Sequence, residues 1–247
     1  MFKSLLVGNW KMHGTAETAV NLARQLAEEW NADDSVEMVI FPPFVHLSAV
    51  ATTVAGSSVS IGAQNVSEYT AGAYTGETSA EMLVDQGCKY VLVGHSERRS
   101  ILNESNDVVA EKFIAAQSAG LIPILCVGES LQQRHNGQTE EVVSAQIAAV
   151  IDRASLQNVC RAVIAYEPVW AVGTGETATP NQAQQVHSVI RAQLGEAGIS
   201  TPLLYGGSVK AENAAELFAQ PDINGGLVGG ASLEANEFLN IAKLIEA

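Results

Sequence analysis

Short apolar runs rich in β-branched residues recur along the chain at Leu5 to Val7, Glu37 to Phe41, Val59 to Gly62, Tyr90 to Val93, Ile122 to Val127, Ala162 to Tyr166, Leu203 to Tyr205 and Gly226 to Val228. Each reads as a strand. Between them the apolar spacing becomes helical, as at Val186, Ile190 and Leu194, which stand four residues apart. That helix opens with Thr179, Pro180 and Gln182, a capping box with proline at the first helical position. Tyr90-Val91-Leu92-Val93 and Ile122-Pro123-Ile124-Leu125-Cys126-Val127 are apolar without alternation, the pattern of strands covered on both faces in a parallel sheet.

Eight strands over 247 residues leave about 31 residues per unit, near the length of a parallel strand–helix repeat. No Pro/Gly/Ser linker or break in composition divides residues 1–247, so a single domain is expected. Two closures fit, an open doubly wound sheet or a closed barrel. Polar and glycine residues follow strands one, four, six, seven and eight directly: Asn9 and Lys11, His95 and Ser96, Glu167, Gly206 to Ser208, and Gly229 with Gly230. An open sheet gathers its ligand at one switch point, whereas a closed ring brings five strand ends around one pocket. The expected fold is therefore α/β, a closed (β/α)8 barrel.

Composition narrows the function classes. Apolar residues make up 47% and charged residues 16%, enough for a large core. The formal net charge of −14 offers no basic surface to a nucleic acid or an anionic membrane, and neither partner is expected. The first ten residues have too short an apolar run for a signal peptide, and no segment approaches the ~18 apolar residues of a membrane helix. Cys88, Cys126 and Cys160 form no CxxC pair and read as reduced core thiols, which points to the cytoplasm. Without a secretory signal, the sequons at Asn65 and Asn103 carry no weight. His13, His46, His135 and His187 make no HxxxH or HExxH spacing, so no metal site is expected.

Several strand-end residues can carry chemistry, each with a plainer alternative. His95, in Val93-Gly94-His95-Ser96-Glu97-Arg98-Arg99, fits a structural histidine when taken alone. Its place after a buried strand and before a helix start would lower its pKa through the helix dipole and favour neutral imidazole. Glu167 emerges from an apolar strand beside Pro168 and Trp170; solvated it is an ordinary carboxylate, and partly desolvated its pKa rises toward that of a useful base. Ala171-Val172-Gly173-Thr174-Gly175 suits either a glycine turn or a lid that excludes water. The glycines at 206–207 and 229–230 can expose backbone N–H groups to a phosphate, with Ser232 as the expected cap of the following helix. Lys11, one of six lysines, is either a surface amine or the local positive group that an acidic protein needs to hold an anion.

Five segments together resemble the triosephosphate isomerase family, in its order: Asn9-Trp10-Lys11-Met12, Gly94 to Arg99, Ala165 to Gly175, Tyr205-Gly206-Gly207-Ser208-Val209, and Val228 to Leu233. The resemblance runs from residue 5 to about 233. It implies a (β/α)8 barrel that interconverts dihydroxyacetone phosphate and D-glyceraldehyde 3-phosphate through an enediolate, in glycolysis and gluconeogenesis, with no cofactor and no metal. It also implies that Glu167 shuttles the proton between C1 and C2 and that neutral His95 polarises the carbonyl and moves protons between the oxygens. Lys11 and Asn9 would stabilise the enediolate, and Glu97 would hydrogen-bond the Lys11 and His95 neighbourhood. Gly173, Ser208, Gly229 and Gly230 would hold the phosphate. His13 and Glu176 depart from the family's usual residues at positions that are not catalytic, and bear on the pH profile and the lid kinetics rather than on the reaction.

Asn65 to Thr78 is long for a strand–helix loop and carries Tyr69 and Tyr74. Two aromatics on such a loop suit insertion into a neighbour's pocket, and the resemblance implies a homodimer in which Thr75 reaches the other subunit's site. A Schiff-base aldolase on the same scaffold would need a lysine at a late strand end, and none stands near Glu167. A non-catalytic scaffold would not need Lys11, His95 and Glu167 together.

Overall fold

A computed structural model describes residues 3–31, 35–171 and 177–245. Eight parallel strands close a ring in chain order: β1 Ser4–Asn9, β2 Val36–Phe41, β3 Val59–Ala63, β4 Tyr90–Val93, β5 Ile122–Val127, β6 Val163–Tyr166, β7 Leu203–Tyr205 and β8 Gly225–Val228. β8 pairs with β1, Leu5 opposite Gly225 and Gly8 opposite Val228, and completes the barrel. All eight expected strands are present, and the largest difference in extent is at β1, which runs on to Asn9 and so delivers that side chain to the strand end.

Two apolar layers explain the closure. Leu5, Val7, Val39, Phe41, Tyr90, Leu92, Ile124, Cys126, Val163, Ala165, Leu204 and Leu227 fill the barrel interior. The alternate residues of the same strands, such as Leu6, Met38, Ile40, Val91, Leu125 and Ile164, pack outward against the helices. Both faces are therefore apolar, and the strands cannot show the alternation of a half-exposed sheet. At β5, Pro123 pairs in register with Val91 of β4 but precedes the ladder to β6, which begins at Ile124, so its missing N–H leaves no ladder bond unmade there.

Local signals set the helix starts. Thr179 caps the helix Pro180–Leu194 through the Gln182 N–H, with Pro180 in its first turn, and Val186, Ile190 and Leu194 face the core. Ser232 does not act as the cap expected of it. It lies inside the 3-10 turn Gly230–Leu233, and its hydroxyl donates back to the Gly229 carbonyl at 2.7 Å, with Leu233 and Glu234 between it and the helix Ala235–Ile245. Among the described residues no helix is long and apolar enough to cross a membrane, and no cluster of His, Cys, Asp or Glu is arranged to hold a metal.

Candidate active site

The period-two phase of the strands carries most of the site inward. Leu5 and Val7 point into the barrel, so Asn9 follows them; Val163 and Ala165 are followed by Glu167, Leu204 by Gly206, and Leu227 by Gly229. These residues meet at the C-terminal end of the strands in a cavity of about 340 Å³, together with Lys11, His95, Gly207, Ser208 and Gly230. Active sites of this barrel occupy that end because the loops there can vary while the packed interior holds them in place.

His95 is one residue out of phase with Tyr90 and Leu92, and a left-handed turn at Gly94, with φ of 71°, brings it round to the cavity. A side chain at Gly94 would also run into the Arg99 guanidinium and Val109 at 2.8 and 2.9 Å. The ring caps the short helix Ser96–Ile101: the Glu97 N–H donates to Nδ1 at 3.3 Å, which leaves the hydrogen of a neutral ring on Nε2. Nε2 lies 3.0 Å from Glu167 Oε1.

Glu167 is 1% exposed. Its carboxylate accepts the Ser96 N–H at 2.9 Å and the Ser96 hydroxyl at 3.1 Å. Both expected pKa directions are overturned by this contact. Burial pushes Glu167 up, but His95 and the two Ser96 bonds hold it below the ordinary carboxylate value. Burial pulls His95 down, but the Glu167 carboxylate, with Glu97 behind it, raises it above the ordinary imidazole value. A carboxylate that reaches across to the ring outweighs the dipole of a helix of six residues.

Lys11 has a left-handed backbone, φ 51°, uncommon for a residue with a side chain. Its N–H donates to Asn9 Oδ1 at 3.0 Å, and its carbonyl accepts the Gln64 amide at 2.8 Å. The same Gln64 amide also donates to the Phe41 carbonyl at 2.8 Å, which ties the strained turn to the end of β2. Lys11 Nζ pairs with Glu97 Oε1 at 2.5 Å, and Glu97 Oε2 lies 3.6 Å from His95 Nδ1. Across the cavity, a Cβ placed on Gly229 would fall 3.4 Å from Lys11 Cε, whereas one on Gly230 would meet nothing within 4 Å. The ammonium thus borders an open space floored by the two glycines. This is the local positive group that can hold an anion against the net charge.

Gln64, Lys210, Leu227 and Glu237 belong to the site or its support beyond the residues the sequence pointed to, and Ser96, placed at the pocket from sequence but given no role, binds the Glu167 carboxylate. Lys210 directly follows the Gly206-Gly207-Ser208-Val209 segment, a signal that was available. Glu237 sits in the first turn of the last helix, and only the fold carries it to the cavity. Gly173 and Glu176 lie outside the described residues. Thr75 is exposed on its loop and lines neither the cavity nor the groove beside it in its own chain. His13, exposed, lies at a separate small hollow with Trp10 and Leu22.

Comparison with known proteins gives the family. A family model described as triosephosphate isomerase matches residues 4–245. The chain belongs to the triosephosphate isomerase family. It is 57% identical to the triosephosphate isomerase of Thiobacillus denitrificans, with 98% of each chain covered. Identity is 52% to that of Xanthomonas campestris pv. campestris over the whole of both chains, and 51% to that of Nitrosococcus oceani over 97% of each. In this triosephosphate isomerase family member, the end of β6 rests on a buried carboxylate, Glu129. It accepts from the Tyr166 hydroxyl at 3.1 Å and from Trp170 Nε1 at 2.9 Å, and pairs with Arg134 at 3.2 Å. Cys88 and Cys126 are buried and free, and burial pushes the Cys88 thiol up to about 12, so it is inert at neutral pH. Cys160 is free but only partly buried.

Proposed function

We propose that Glu167, His95, Lys11 and Asn9 are the residues with which this chain interconverts dihydroxyacetone phosphate and D-glyceraldehyde 3-phosphate, a glycolytic and gluconeogenic step. The observation that carries the assignment is the 3.0 Å approach of His95 Nε2 to Glu167 Oε1 in the cavity that Lys11 shares with Gly229 and Gly230. Glu167 releases Ser96, turns to the substrate and takes a proton from C1. The electron pair moves to the C1–C2 bond, and the carbonyl oxygen becomes the enediolate oxygen. His95 donates its Nε2 proton to that oxygen and recovers one from the neighbouring hydroxyl. Glu167 then returns its proton to C2, and no net proton is gained or lost. Lys11 and Asn9 face the charge that develops on the oxygens, where a preformed donor costs no reorganisation. Glu97 holds Lys11 and the far side of the imidazole. Once the two Ser96 bonds and the contact with His95 are broken, burial is left to raise the basicity of the carboxylate, so the resting contacts keep the base ionised until substrate arrives.

Ser208, Gly229 and Gly230 are assigned to the phosphate, with Gly173 from the segment outside the described residues. No cofactor is needed, because each step moves only a proton. Glu167→Gln should lower kcat by ~10²–10⁴ with a much smaller change in substrate affinity; near-native turnover would remove Glu167 from the mechanism.

Residues 1–247 are read as one domain, placed in the cytoplasm and working as a homodimer. The Asn65 to Thr78 loop is pinched at its base by the Ser67 N–H on the Thr78 carbonyl at 2.9 Å, and Tyr69 stacks on Tyr74 with ring centres 3.8 Å apart. This forms a half-exposed aromatic knob. Beside the active site lies a groove of about 500 Å³ bordered by Met12, Phe44, Val45, Ile101 and Leu102, apolar side chains all exposed in the single chain. The knob and the groove on one chain support the dimer reading, since a knob from a second copy would fit there and bring Thr75 towards Asn9, Lys11 and His95.

A further inference from the structure

We infer that Gln146 is a positioning residue for the catalytic carboxylate, acting through the peptide groups of Gly128. This rests on the assignment of Glu167 as the base.

Gln146 stands on the helix Thr139–Ala154, outside the substrate cavity. Its side-chain amide makes a two-bond clamp: Oε1 accepts the Gly128 N–H at 2.8 Å and Nε2 donates to the Gly128 carbonyl at 3.1 Å. Gly128 lies one residue beyond β5, where the ladder to β6 has ended. Among the described residues Gln146 supplies the partner for both its backbone groups. A backbone donor and acceptor at a strand end normally pair with main chain or water, so one side chain meeting both fixes the peptide in position and orientation.

The clamped backbone is the wall against which Glu167 rests. A Cβ on Gly128 would lie 1.8 Å from the Glu167 carbonyl oxygen and 3.4 Å from its Cα, so the two backbones are in direct contact. On either side of that contact, the Glu167 N–H donates to the Val127 carbonyl at 2.8 Å and the Val169 N–H to the Glu129 carbonyl at 3.2 Å. The three-residue stretch 127–129 thus backs the chain from 167 to 169, and one outer helix anchors its middle. Moving Gly128 moves the origin of the Glu167 side chain. The phosphate end, on β7 and β8, has no part in the clamp. Gln146 should therefore act on turnover and leave substrate affinity alone.

The test uses the full-length protein. Gln146→Met keeps the length of the side chain and removes both bonds. Since a misplacement of ~1 Å can cost ~10² in rate, kcat should fall at least ten-fold, while KM and the inhibition constant of inorganic phosphate stay within two-fold. An unchanged kcat per folded molecule, with only a lower urea midpoint, would overturn the inference. So would a parallel loss of phosphate binding, since that means general loosening of the barrel end. Gln146→Glu covers the case in which the methionine variant does not fold. Its carboxylate accepts from the Gly128 N–H but cannot donate to the carbonyl, whereas the protonated form does both. The ratio of its kcat to that of the parent should climb as pH falls from 8 to 5, and a flat ratio counts against the inference. Glu167→Gln measured alongside separates the two readings. An inactive Glu167→Gln with a native Gln146→Met defeats only the role of Gln146, and an active Glu167→Gln defeats the base assignment itself.

Discussion

Gly206→Ala perturbs the base without touching a polar group. The added Cβ falls 2.8 Å from Glu167 Cγ and 3.2 Å from the Tyr166 carbonyl oxygen. Carbon–carbon contact is comfortable at about 3.5–4.0 Å, so Glu167 has to give by roughly 0.7–1.2 Å. The Tyr166 carbonyl cannot give, because it accepts the Gly206 N–H at 2.7 Å. Gly206 has no left-handed backbone, so alanine is not strained in itself and the effect isolates the contact. The carboxylate is enclosed and tied to Ser96 and His95, and a retreat of ~1 Å takes it off both; kcat should fall by ~30- to 100-fold. Overpacking should cost about 1–3 kcal/mol of stability, little enough for the variant to stay folded. Steady-state turnover in both directions, normalised to the folded fraction from urea denaturation, measures the effect. A fully folded variant with kcat within two-fold of the parent would show that the position of Glu167 in the closed-packed barrel end does not limit the chemistry.

Three further outcomes are expected. Glu237→Gln removes a carboxylate from the wall of the cavity to which the phosphate is assigned, so KM and the inhibition constant of inorganic phosphate should fall together several-fold, more at low salt; equal values at low and high salt would show that its charge is not felt there. His187 is fully buried, and burial holds its pKa below the ordinary imidazole value. Its neutral form stabilises the fold above the unfolded-state value of about 6.5, and that stability is lost as pH falls below it. His187→Asn should therefore lose less melting temperature than the parent between pH 7.5 and 5.5, and equal losses would mean that His187 is not a source of acid lability. Light scattering should find a dimer at micromolar concentration, and Tyr74→Asp should shift it toward monomer with lower activity; a fully active parent monomer would remove the loop from the interface.

Much of the molecule was legible because its signals are short-range. Apolar runs of a few residues mark strands, Thr179-Pro180 marks a helix start, and glycines mark turns, each through backbone preferences that act over a single turn of chain. Alternation along a strand likewise puts Asn9 in phase with Leu5 and Val7, and Glu167 in phase with Val163 and Ala165. The gathering of polar residues at five strand ends was enough to favour closure over an open sheet. The same logic would have turned His95 away from the cavity, since it falls out of phase with Leu92; the left-handed backbone at Gly94 reverses it.

The charge states and supports of the site were not legible, because they depend on groups far apart in the chain. Ser96 meets Glu167 across 71 residues, and Glu97 meets Lys11 across 86. The His95–Glu167 contact, with Ser96 behind the carboxylate and Glu97 behind the ring, sets the pKa directions of both against the ones that local burial and a helix dipole suggest. The Gln64 tether of Lys11 and the Gln146 clamp on Gly128 are ordinary amides in the sequence, and acquire a function only when the ring closes and sets them against bare backbone. Local patterning encodes which residues face inward; electrostatics and hydrogen bonding within the site depend on distances that exist only after eight strands have paired.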